Sequence, residues 1–225
     1  MTIPLDRNQT GVIVVDIQGD FTLFKHGSLA VQQTDQSYID KVVAATKQLK
    51  SKGHKIFATQ DFHPENHISF YTSHKDKTPY ETIEIDGRSQ ILWPPHCVQG
   101  TENADILIDN TLFTAIIQKG MNPKYDSYSG FFDDNGIKTG LDNILKSHQV
   151  DTLIVYGLAT DYCVKATAMD AVKSGYGVFL IEELCKGVSE DTTESALKEM
   201  ISAGIKIKIF DQVFERNKKR NQTVK

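Results

Sequence analysis

The sequence predicts an α/β fold, a single three-layer α/β/α domain whose mostly parallel sheet has about six strands. Three observations lead there. Short apolar, β-branched runs alternate with segments of helical periodicity along most of the chain. No internal repeat or low-complexity linker interrupts them. The length, 225 residues, suffices for one sizeable core and is short for two ordinary domains.

Each element has its own signal. Gly11 to Ile17 (GVIVVDI) is an apolar run bounded by polar residues, as in a strand buried on both faces. Asp35 to Lys52 carries Ile39, Val42, Val43, Thr46 and Leu49 on one helical face, and Gly53 ends it. Lys55 to Thr59, Leu112 to Gln118, Thr152 to Tyr156 and Gly177 to Ile181 read as further strands, and Ile205 to Phe210 as a weaker sixth. Helices are expected near Gly140 to Ser147, Asp161 to Ser174 and Ser189 to Ala203. The domain is expected to span residues 1–214. Glu215 to Lys225, polar and mostly basic, reads as a frayed tail.

Residues 61–111 break the alternation. Long aperiodic connections in compact domains are usually functional or disordered. This one holds four of the seven histidines, the only tryptophan and four of the six prolines, which argues for function.

Composition removes some classes of partner. Lys and Arg total 25 against 29 Asp and Glu, a net charge of -4, so there is no electrostatic case for nucleic acid or an acidic membrane surface. No apolar run approaches the roughly 20 residues needed to span a bilayer. Met1 to Gly11 has no signal-peptide apolar segment. Cys97, Cys163 and Cys185 are too irregularly spaced for a disulfide framework. A cytoplasmic protein with free thiols is the expectation, and homo-oligomerisation is left open.

In open parallel sheets, ligands bind beyond the carboxyl ends of the strands. Four such ends carry reactive side chains here: Asp16, then Asp61 and His63, then Lys119, then the turn bearing Cys163. Cys163 falls in the expected first turn of a helix, where unpaired N–H groups and the dipole favour a thiolate. A buried structural cysteine fits that stretch as well. Asp16 and Lys119 would each need a partner if buried, and each could answer the other's charge. Asp61 and His63, two apart, share one side of an extended segment. His96 follows two stiffening prolines. Such an Asp-His-His set suits zinc, iron or manganese, although solvated loop histidines show the same spacing. His67, His74 and Cys97 are further candidates.

Taken together, Val15 to Phe21 (VDIQGDF), Asp61 to Pro64 (DFHP), Trp93 to Thr101 (WPPHCVQGT), Lys119-Gly120, Tyr128 to Phe131 (YSGF) and Gly157 to Val164 (GLATDYCV) resemble the nicotinamidase branch of the isochorismatase-like cysteine hydrolases. The match runs in order from about residue 11 to 203.

The resemblance implies hydrolysis of nicotinamide, with pyrazinamide as a close analogue, to the acid and ammonia through a thioester. It assigns Cys163 as nucleophile, Asp16 as the proton carrier and Lys119 as the charge that holds the pair and favours the thiolate. The backbone N–H groups of Ala159 and Cys163 become the oxyanion donors, with a cis peptide at Leu158–Ala159. Asp61, His63 and His96 hold one divalent metal ion, zinc in first place with iron or manganese as alternatives, and His67 is left open as an extra ligand. Phe21, Trp93 and Tyr128 wall the substrate ring. No role follows for Cys185.

Overall fold

The computed structural model describes residues 6–213; the expected tail, and the domain boundary at 214, lie outside them. Six strands form one sheet in which every pairing is parallel. They are β1 (Thr10–Val15), β2 (Lys55–Asp61), β5 (Ala115–Lys119), β6 (Thr152–Gly157), β7 (Gly177–Ile181) and β8 (Lys206–Lys208), ordered β5-β2-β1-β6-β7-β8. Between β2 and β5 lies a separate antiparallel hairpin, β3 (Thr82–Ile85) and β4 (Arg88–Ile91).

The central strand β1 is buried along its whole length, which requires cover on both faces of the sheet and explains its unbroken apolar run. The cover comes from α1 (Gln36–Ser51), α2 (Leu141–Ser147), α3 (Lys165–Lys173) and α4 (Glu190–Ser202). Asp35 starts α1 by accepting the Tyr38 N–H on its side chain. The buried face of α1 holds Ile39, Val42, Thr46 and Leu49, and Thr46 Oγ1 lies 2.8 Å from the Tyr156 hydroxyl of β6. That bond explains a polar residue on an apolar stripe. Among the described residues no helix is long and apolar enough to cross a membrane.

Several boundaries differ from the sequence reading. The strand expected from Leu112 starts at Ala115, because Asp109 caps a 3-10 turn over Asn110–Leu112. Strand β1 stops at Val15, where Asp16 turns the chain with a φ of 46°. The helix expected from Asp161 divides into a π-helical turn, Thr160–Val164, and α3. The last strand shrinks to three residues. The missed hairpin had a legible signal: Asp86-Gly87, both with positive φ, forms its turn.

Candidate active site

The strand ends do converge. Asp61 closes β2 and Lys119 closes β5, and the two are register partners, so their side chains leave the same face of the sheet. Lys119 Nζ lies 2.5 Å from Asp61 Oδ1, 3.0 Å from Asp16 Oδ2 and 3.5 Å from Cys163 Sγ, and donates to the Ser127 carbonyl at 2.7 Å. All four side chains are buried. A fully buried ammonium is tolerable only with such a set of partners.

Asp16 is held on one side. Thr59 donates to Oδ1 at 2.6 Å. The other oxygen, Oδ2, lies 3.0 Å from Lys119 Nζ and meets no partner in hydrogen-bond geometry. Asp16, Asp61 and Cys163 place one donor atom each within 4.8 Å of one another.

Burial dominates the electrostatics. It raises the Asp16 carboxyl above its ordinary value, against the pull of Lys119. Burial also pushes Asp61 up, but Lys119 and then His63 outweigh it and hold that carboxyl far below the usual range. Burial would lower the Lys119 pKa; Asp16, Asp61 and Cys163 reverse this, and the ammonium stays charged. For Cys163 burial wins: the thiol sits well above its ordinary value despite Lys119. Burial thus opposes the thiolate that Lys119 favours. Desolvation, together with the two neighbouring carboxylates, exceeds what Lys119 and the turn supply.

A second cluster adjoins the first. Asp61 Oδ2 lies 3.6 Å from His63 Nε2 and 3.9 Å from His96 Nε2, and one donor atom of each residue falls within 4.8 Å of the others. His63 Nδ1 is 2.9 Å from the Gly120 carbonyl, and His96 Nδ1 is 2.9 Å from that of Pro94. A carbonyl there fixes the proton on Nδ1 and leaves the Nε2 lone pair facing Asp61. His63 Nε2 is buried and has no hydrogen-bond partner among the described residues. An orphaned imidazole nitrogen beside a carboxylate and a second imidazole fits a divalent cation in chemistry and in spacing.

The surrounding backbone fixes this cluster. Gln18 grips Asp61 both ways, accepting its N–H at 2.8 Å and donating to its carbonyl at 2.7 Å. The two histidine loops are tied by His63 N to Cys97 O at 3.0 Å and Gln99 N to His63 O at 2.8 Å. Asp20 Oδ2 accepts the Cys97 N–H at 2.7 Å. Gly120 has a φ of 65°, and a Cβ there would come within 2.3 Å of His63 Cε1, so only glycine admits the ring.

Other candidates are placed differently. His67 lies beside His63 with ring centroids 4.3 Å apart and the planes tilted by 45°. Its Nδ1 accepts from Ser69 N, and its Nε2 lies 3.1 Å from the Tyr125 carbonyl, so both nitrogens are engaged. His74 Nε2 lies 2.7 Å from the Ile68 carbonyl. Cys97 and Cys185 are buried in the apolar core.

A cleft of about 180 Å³ opens over both clusters; its lining includes Cys163, Asp61 and His96. Phe21, Trp93 and Tyr128 line it too. Trp93 Nε1 donates to the Tyr128 hydroxyl at 2.9 Å. Sequence reasoning missed Tyr162, edge-on to Trp93 at 5.2 Å, and Asp126, which accepts from Gln90 at 3.0 Å. Tyr162 adjoins Cys163 in a turn already singled out, so its neighbour was its signal. The Leu158–Ala159 peptide is cis. The Ala159 carbonyl is drawn into the π-helical turn by Tyr162 N and Val164 N, and among the described residues its N–H meets no acceptor.

The chain is similar to known proteins over most of its length. The nicotinamidase of Escherichia coli (strain K12) is 43% identical over 198 residues, covering 86% of this chain and 91% of that protein. The structure of a nicotinamidase from Acinetobacter baumannii superposes with a TM-score of 0.84 at 38% identity, covering 92% of this chain and 99% of the other. A pyrazinamidase of Pyrococcus horikoshii solved in complex with zinc gives a TM-score of 0.75 at 38% identity, covering 89% and 99%. With residues 10–208 matching the isochorismatase domain, the chain belongs to the isochorismatase family, in the nicotinamidase branch of its cysteine hydrolases.

Proposed function

We propose that the protein hydrolyses nicotinamide to nicotinate and ammonia, and pyrazinamide in the same way, through a thioester on Cys163. The observation that carries this reading is the convergence of Asp16, Lys119 and Cys163 beneath an aromatic cleft. The similarity to nicotinamidases over most of the chain supports the choice of substrate.

The resting thiol needs a base as it attacks. Asp16 Oδ2, buried, raised in pKa and free of hydrogen bonds, takes the proton while Cys163 Sγ bonds to the carboxamide carbon. The oxyanion that forms is met by the N–H groups of Ala159 and Cys163. Asp16 returns its proton to the nitrogen, the C–N bond breaks, and ammonia leaves. Water then attacks the thioester, giving its proton to Asp16; the collapse expels the sulfur, which takes that proton back as the thiol, and nicotinic acid leaves, losing its own proton to solvent to become nicotinate. Lys119 remains charged throughout and steadies Asp16 as its charge changes.

Asp61, His63 and His96 would hold one divalent cation, zinc on the strength of the donor set and the zinc-bound relative, with iron or manganese as alternatives. Such an ion supplies a Lewis acid for the pyridine nitrogen, which places the ring. Phe21, Trp93 and Tyr128 provide flat apolar contact for it.

Incubation of the purified protein with nicotinamide should release ammonia and nicotinate in equal amounts. No release at any loading of zinc, iron or manganese would remove the proposal.

A further inference from the structure

We propose that Lys119 occupies a second divalent-cation position built into the site, and that its ammonium keeps thiophilic metals off the nucleophile. The inference rests on reading Asp61, His63 and His96 as metal ligands.

The geometry begins with Asp61, whose two oxygens face opposite ways. Oδ2 is turned to His63 and His96, and Oδ1 to Lys119. A carboxylate used from both sides is what bridges two cations. On the Oδ1 side, Asp16, Asp61 and Cys163 form a second complete donor set, with one donor atom of each within 4.8 Å of the others. Two carboxylates and a sulfur suit zinc or cadmium, and the sulfur makes the set the softer of the two. Asp16 Oδ2 points into it without accepting a hydrogen bond. Lys119 Nζ is 2.5, 3.0 and 3.5 Å from Asp61, Asp16 and Cys163, in the place a second ion would take.

The consequence is chemical. A metal ion there would displace the thiol proton to solvent and bind the sulfur, and the nucleophile would become a ligand. An ammonium supplies positive charge to two buried carboxylates with N–H donors and no coordinating orbitals. The sulfur therefore stays available beside a cation-binding site that shares one of its residues.

Cadmium is the probe, because thiolate coordination to it gives a charge-transfer absorption band in the ultraviolet. The full chain, stripped of metal, is loaded with excess cadmium and desalted. The wild type should retain one equivalent and show no thiolate–cadmium band. Lys119→Ala should retain twice as much and show the band, and Lys119→Ala combined with Cys163→Ser should lose it. Lys119→Ser offers a second route if the alanine variant does not fold, and the wild-type arm depends on neither. A thiolate–cadmium band in the wild type would overturn the proposal. So would a natively folded Lys119 variant that keeps one equivalent and shows no band. A wild type that binds no cadmium, beside a Lys119→Ala variant that binds one equivalent through sulfur, would support the proposal while refuting the histidine site.

Discussion

Asp61 and Lys119 stand opposite each other at the ends of neighbouring parallel strands, joined by an ion pair of 2.5 Å. That single contact links the Asp-His-His cluster to the thiol side of the cleft. Among the described residues, Lys119 is also the one positive charge paired with Asp16. Replacing it with methionine keeps its bulk but removes the ammonium from two buried carboxylates. A loss of about 3–5 kcal/mol of stability is expected, with activity lost as well. Urea unfolding at neutral pH measures it; a change below about 1 kcal/mol would show the pair to be no stronger than a surface contact.

The pH profile should report Asp16. Its carboxyl is raised above the ordinary 3.8, and the mechanism uses its charged form. The acid limb of kcat/KM is therefore expected above that value, with activity falling as pH drops through it. The hydrogen bond from Thr59 lowers the same carboxyl. Thr59→Val should move the limb to higher pH, and a limb that stays in place would separate it from Asp16.

Metal content distinguishes ligands from neighbours. His96→Ala should lose the ion. His67→Ala should keep it, because both His67 nitrogens are engaged elsewhere. Gln18→Leu removes the grip on the Asp61 backbone and should weaken metal affinity by about 10–100-fold. Elemental analysis and competition with a chelator read all three. Retention of the ion in His96→Ala would remove that residue from the set.

The aromatic wall should act on binding. Trp93→Ala removes a face of the cleft and should raise KM by roughly tenfold, the worth of about 1.4 kcal/mol. Tyr128→Phe deprives Trp93 Nε1 of its acceptor and should raise KM by a few-fold. Steady-state kinetics with nicotinamide tests both. A fall in kcat with KM unchanged would place these rings away from the bound ground state.

The sheet was legible because β1 and β6 are buried end to end, and unbroken apolar runs are what double burial demands. Asp16, Asp61, Lys119 and Cys163 could be found because charged or reactive side chains at the ends of such runs need an explanation. The hairpin β3–β4 shows itself only in its Asp86-Gly87 turn, because strands of four residues each are too short to show a period against the loop around them. Cys163 was legible only in part. Its position beside a helix start is local and visible in sequence, whereas its desolvation depends on distant residues packing over it. Gln18 and Asp20 stand in sequence only as part of the stretch Val15 to Phe21; their bonds to Asp61 and Cys97 cross long stretches of chain and leave no periodic trace.

The most direct test of the central claim compares ammonia release from nicotinamide by the wild type and by Cys163→Ala, each loaded with the same metal. The account predicts steady release by the wild type and a loss of at least about a thousandfold in the variant, because Cys163 is the cysteine among the described residues lining the cleft. Comparable release by Cys163→Ala would contradict it.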